Sequence, residues 1–169
     1  SEILLADGRR EKIGDLVEER MAASPDEIVD GVNCEILPVD DLRVHSVDMN
    51  AQELQPLPVD RVSRHEAPDE FIRVTFSNGN DVLVTPEHPM FVWQEDDIGT
   101  IDARQVDVGA TVPAPPRPVR ATAENALAHD GGHSDSGAET SSLRQHRVTD
   151  VETVPNEGEY ETEWVYDVT

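Results

Sequence analysis

The sequence predicts an all-β chain of many short strands, with one short helix and one long flexible loop. Three observations carry that prediction. Apolar and polar residues alternate over short runs bounded by turn residues. Only the stretch after Lys12 repeats its apolar residues at helical spacing. Asn78-Gly79 stands between two β-prone runs, the strongest short-range hairpin signal a sequence offers.

From the N-terminus, Glu2 to Ala6 reads as a strand closed by the turn Asp7-Gly8. Ile13, Leu16, Val17 and Met21 share one helix face, and Ser24-Pro25-Asp26 ends that helix. Residues 26–41 are acidic and read as an irregular surface loop. Val44 to Asp48 is a strand, Asn50 a turn, and Leu57 to Val62 a returning strand. His65, between Arg64 and Glu66, falls in a surface turn. Phe71 to Phe76 and Val82 to Val84 flank the hairpin turn, and Met90 to Trp93 is a further strand. Asp102 to Val106 fits one helical turn and Ala110 to Val112 a brief strand. Residues 113–120 are rich in proline, and 121–145 in Ala, Ser, Gly, His and acids. Val148, Val151 and Val154 resume a strand pattern, and Trp164 to Thr169 form a last strand. The organisation is one domain over residues 1–120 and 146–169, with a low-complexity loop over 121–145. The chain stops in mid-strand, so it reads as a fragment.

Composition sets the function classes. The 169 residues fit one domain. Thirty-six acidic against 13 basic residues leave a charge of −23, which argues against a nucleic-acid partner. No run of about 18 apolar residues offers a membrane span, and the first residues lack a secretory pattern, so a cytoplasmic monomer is expected. Strong acidity with few aromatics fits either disorder or a folded surface built for high salt. Lys12 is the one lysine among the basic residues, and the ordered strand pattern favours the salt-adapted reading. Cys34 is the single cysteine, so the chain has no internal disulfide, and a Cys-based zinc site is not expected. Its acidic neighbours raise a thiol pKa, so it reads as a small buried or semi-exposed side chain rather than a nucleophile.

Two places could carry chemistry. In Thr85-Pro86-Glu87-His88, a hydroxyl and an imidazole three residues apart can reach one peptide bond. The imidazole can protonate a leaving amide nitrogen; the plainer alternative is a strand-ending turn with a surface histidine. Asp167 sits on an apolar strand; facing inward it would be a raised-pKa acid or base, facing outward an ordinary surface carboxylate. Trp164 reads as core. His45 reads as a satisfied half-buried strand residue. His129 and His133 lie near Asp130 and Asp135, a weak metal lead in a flexible loop. No hydrolase elbow, zinc-protease, P-loop or dinucleotide motif occurs.

Together these segments resemble the inteins, the self-splicing Hint domains. Ser1 to Gly8 followed by Lys12 to Val17 is similar to the family's first block after its nucleophile. Asn78-Gly79 and Val82 to Val92, with Thr85 and His88, resemble the second block. Trp164 to Thr169 resembles the start of the penultimate block, and Val44 to Asp48 the strand between the first two. The resemblance implies a horseshoe-like all-β fold with pseudo-twofold halves and a cofactor-free, metal-free, single-turnover reaction in cis. A Cys or Ser attacks its own preceding carbonyl; transesterification, Asn cyclisation and an acyl shift then join the flanking segments, which are the only partners. By match, His88 protonates the scissile nitrogen, Thr85 hydrogen-bonds the site, and Asp167 assists the first nucleophile or the C-terminal step. The family's nucleophile would precede Ser1 and its His-Asn end would follow Thr169, so the chain as written is expected to be inactive. The short segment at 121–145 marks a mini-intein without a homing endonuclease. Acidity points to a haloarchaeal source, and the expected host is a minichromosome-maintenance helicase or a DNA polymerase. Two alternatives remain: a Hint domain that cleaves or transfers without ligation, and a non-enzymatic acidic β module that binds a protein partner or cations.

Overall fold

A computed structural model describes residues 1–48, 50–114 and 143–169. The Pro-rich and low-complexity stretch, with His129 and His133, lies outside the described residues.

A first hairpin, β1 (Glu2–Leu4) with β2 (Arg10–Lys12), turns at Asp7-Gly8, where Gly8 takes a φ of 87°. It delivers the chain into α1 (Ile13–Ala23). Leu16, Val17 and Met21 are the buried residues of that helix, as their spacing requires. Asp15 complements the positive helix start, and Pro25 blocks continuation beyond Ser24.

The segment that reads as an acidic loop instead holds β3 (Val29–Asp30) and β4 (Cys34–Pro38). Its acids hide the pattern, because Glu35 is not a solvated side chain but a partner of Arg64. Next come β5 (Arg43–Asp48) and β6 (Glu53–Pro58), a hairpin through the Asn50 turn. The returning strand expected at residues 57–62 divides at Val59-Asp60. Its second part is β7 (Arg61–Glu66), so His65 belongs to a strand and not to a surface turn. Strands β8 (Glu70–Phe76) and β9 (Asp81–Val84) form the Asn-Gly hairpin, with Gly79 at φ 84°. Strands β10 (Pro89–Gln94) and β11 (Asp97–Asp102) form another, β11 having escaped the sequence pattern. A 3-10 turn, Ala103–Gln105, fulfils the helical turn expected there, and β12 (Thr111–Ala114) follows. Strand β13 (Arg144–Pro155) takes in Arg144 and Gln145, which the sequence assigns to the loop. Strand β14 (Trp164–Val168) ends the described chain.

The parts repeat. One four-stranded sheet runs β14-β7-β4-β3 and the other β12-β13-β8-β9, and each half adds a two-stranded hairpin, β5-β6 or β10-β11. The hairpins meet tip to tip, where Gln52 Nε2 donates to the Asp96 carbonyl at 3.1 Å. Each half has its own core. The first gathers α1 and β7 around Val17 and Val62; the second gathers β8 and β13 around Val74 and Val148. All four of these valines are at most 1% exposed. Val108, Val29 and Val32 stand out in the open, the last at 91% exposure. His45 is half-buried as expected but not satisfied: its Nδ1 has no partner among the described residues.

Candidate active site

The site begins where β9 ends. Thr85 is half-buried, and a tight turn follows, in which the His88 amide donates to the Thr85 carbonyl at 3.0 Å. Neighbours clamp that turn. Ala103 N–H donates to the His88 carbonyl at 2.9 Å, and Arg104 N–H to the Pro86 carbonyl at 3.0 Å. Ala103 is fully buried, so the clamp is rooted in the second core. Among the described residues Thr85 and His88 are held by backbone bonds and not by their own side chains, which leaves both groups for chemistry.

His88 is open to solvent on one side, yet the surrounding protein desolvates its ring. Desolvation pulls its pKa below the ordinary 6.5, while the negative charge of Asp167 opposes that. Burial thus disfavours the charged imidazolium, and the Asp167 charge favours it. The last strand of one half thus contributes a charge that acts on the T-x-x-H turn of the other.

Asp167 faces outward on β14 and is exposed, so the inward-facing alternative is not realised. Thr169 Oγ1 donates to its Oδ2 at 2.9 Å. The strand beneath is fixed from its other face. Tyr166 Oη donates to Glu18 Oε1 at 3.0 Å, and Arg64 Nη1 donates to both Glu18 oxygens at 2.9 and 2.8 Å. Arg64 Nε also bonds Glu35, and its guanidinium lies 4.8 Å from the Trp164 ring centroid. These partners hold Arg64 firmly charged. Burial, then the Glu18 contact, raises the Tyr166 pKa above its usual 10. A Cβ on Gly14 would come within 3.0 Å of the Tyr166 ring, so glycine lets helix and strand approach. Trp164 is half-buried under Arg64 rather than enclosed in a core. Cys34 is half-buried on β4, as its sequence context suggests.

Sequence reasoning missed Ser63 and His65. Ser63 is 6% exposed, the one buried polar residue among those described, and its Oγ lies 3.0 Å from His65 Nε2. The run Val62-Ser63-Arg64-His65 carries no apolar group after Val62, so it shows no alternation and gives no strand signal. No cluster of three or more potential metal ligands occurs among the described residues. None of the described helices is long and apolar enough to cross a membrane.

The architecture is that of solved inteins. The chain overlays the PabCDC21-1 intein with a TM-score of 0.76, at 21% identity, covering 99% of this chain and 84% of that one. The KlbA intein precursor from Methanococcus jannaschii gives 0.74 at 20% identity, over 99% and 77%. The transcription factor IIB Mvu mini-intein gives 0.72 at 21%, over 100% and 86%. The chain therefore has the intein, or Hint, fold that its motif order implies.

The sequence relatives are more particular. The chain is 35% identical over 103 residues to the DNA polymerase II large subunit of Halobacterium salinarum, covering 57% of this chain and 7% of that protein. It is 29% identical over 113 residues to the corresponding subunit of Haloquadratum walsbyi, covering 63% and 5%. The chain thus spans well under a tenth of the curated relatives it matches. No family model matches the sequence.

Proposed function

We propose that this chain is the body of a mini-intein that splices itself out of the DNA polymerase II large subunit of a haloarchaeon. The observation that carries the reading is the clamped Thr85–His88 turn, with the Asp167 charge acting on His88 from the other half of the fold. In the first step a thiol or hydroxyl attacks the carbonyl before it, and the amide C–N bond breaks. His88 supplies the proton that the departing nitrogen takes up. Thr85 hydrogen-bonds the twisted peptide, and Asp167 accepts the proton lost by the nucleophile or serves the C-terminal step. Transesterification, Asn cyclisation and a final acyl shift complete the ligation without a cofactor. His88 acts as the imidazolium in that step: its ring takes up a proton from water, helped by the Asp167 charge, hands it to the departing nitrogen and returns to the neutral form that burial favours. The strongly acidic surface supports a requirement for concentrated salt.

The test is to express the chain with its natural flanking sequence between two foreign reporter domains at molar salt and follow products by mass spectrometry. Ligated reporters are expected, and His88→Ala should stop the first step. Processing that continues at the same rate in His88→Ala would remove the assignment. Cleaved but never ligated reporters would favour the cleavage-only alternative.

A further inference from the structure

Arg64 and the strand around it present two faces. In β-sheets, residues paired across strands share a face. The rows Tyr166–Arg64–Glu35 and Val168–Val62–Leu37 meet α1 and the first core. The rows Asp167–Ser63–Ile36 and Val165–His65–Cys34 lie on the opposite face. Asp167 and Ser63 are therefore direct cross-strand neighbours, whose Cβ atoms stand about 5 Å apart in such pairs. Ser63 is buried although polar, and it has made a bond sideways, to His65, at 3.0 Å. Among the described residues Asp167 is bonded through one oxygen, to Thr169. The titratable and charged groups on this face are Asp167, His65, Cys34 and Arg61, the last beside Ser63 on β7 and paired with Pro38, and the Asp167 charge acts on His88.

We infer that Ser63 and His65 are a positioning pair for Asp167, in which the proton on His65 Nε2 decides whether the Ser63 hydroxyl can donate to the Asp167 carboxylate. The reason is donor arithmetic. A serine hydroxyl has one hydrogen. When His65 Nε2 is bare, Ser63 spends that hydrogen on His65. When Nε2 carries a proton, the Ser63 oxygen accepts it, and the hydroxyl hydrogen is free for Asp167 after one staggered rotation. A donor on Asp167 spreads and steadies its negative charge, and so weakens its pull on His88. His65 thus acts on the site through Ser63 without touching the reacting atoms. The role of Asp167 in this inference rests on the splicing reading, but the hydrogen-bond linkage does not.

The measurement is the NMR titration of the His88 ring in the folded chain at molar salt. Ser63→Ala removes the donor and should raise the His88 midpoint by about 0.3 in pH, a modest change in one screened charge pair. His65→Ala frees the hydroxyl permanently and should move the midpoint the other way. The double variant should match Ser63→Ala. A merely structural role would move both single variants in the same direction. That result, or an unmoved midpoint in folded Ser63→Ala, overturns the inference. Circular dichroism verifies folding, and His65→Ala keeps the test open if Ser63→Ala does not fold. In the flanked precursor, Ser63→Ala should slow the first step about tenfold, the loss of one net hydrogen bond. An unchanged rate, with His88 still required, would also overturn the inference. If His88→Ala processes normally while the titrations behave as stated, the splicing reading fails and the linkage stands.

Discussion

Arg64 ties β14 to α1 and β4 through Trp164, Glu18 and Glu35, and Arg64→Met measures what that tie contributes. Three hydrogen bonds are lost, one from Nε to Glu35 and two from Nη1 to Glu18. Hydrogen bonds to charged partners contribute about 1.5–3 kcal/mol each when buried. Here they are partly open: side-chain exposure is 23% for Arg64, 29% for Glu35 and 42% for Glu18. Solvent screening discounts the sum. The methionine stem retains some packing on Trp164, but Glu18 and Glu35 then confront each other without a cation. A net loss of about 2–4 kcal/mol follows, a substantial part of a stability of about 5–15 kcal/mol. For a chain of this size each kcal/mol lowers Tm by about 2–4 °C, so the fall should be about 5–15 °C. Arg64→Lys keeps the charge but loses the planar fork, and should fall about half as far. The assay is thermal unfolding at molar salt, followed by circular dichroism. An Arg64→Met chain melting within about 2 °C of the parent would refute the reasoning, since the network would then be a surface ornament.

Other outcomes follow from the same structure. Val74→Ala empties a fully buried position in the second core and should cost about 2–3 kcal/mol in chemical denaturation, transfer and cavity contributions together. The depressed His88 pKa means that the folded state resists protonation there. Its contribution is present above about pH 6.5 and is lost as pH falls through the folded value. Stability at molar salt should therefore decline from pH 7.5 to 5 less steeply in His88→Gln than in the parent; identical slopes would contradict this. With a net charge of −23, dilution from molar to about 0.05 M salt should unfold the chain, and full folding by circular dichroism in dilute buffer would contradict the salt-adapted reading.

The hairpin at Asn78-Gly79 and the helix face of Leu16, Val17 and Met21 were legible because local rules decide them. A type of turn demands its residues, and a buried stripe demands its spacing. The last strand was legible as well, but the direction of Asp167 was not. Alternation leaves two choices, and only the packing of Tyr166 on α1 settles which face turns outward. Strand β4 escaped because its acidic residue is neutralised by Arg64, 29 positions away, a partner invisible locally. Ser63 and His65 escaped for a related reason: polar groups in a strand look like a surface until both neighbouring strands are known. Thr85 and His88 were readable as a spacing, but their rigidity comes from Ala103 and Arg104, whose role is a tertiary one.

The pairing of β12 with β13 has a consequence for how such a chain can be altered. The two strands are in register up to Ala114 opposite Arg144, so the ladder itself brings the ends of the intervening segment side by side. Antiparallel partners stand about 5 Å apart at their Cα atoms. Whatever joins them need not span the molecule, and lengthening a connection costs only about 0.6 kcal/mol for each doubling. The paired ends at Ala114 and Arg144 thus form a socket: a guest domain with neighbouring termini could be seated there, or the connection shortened to a tight turn, with the Thr85–His88 turn and Asp167 left in register.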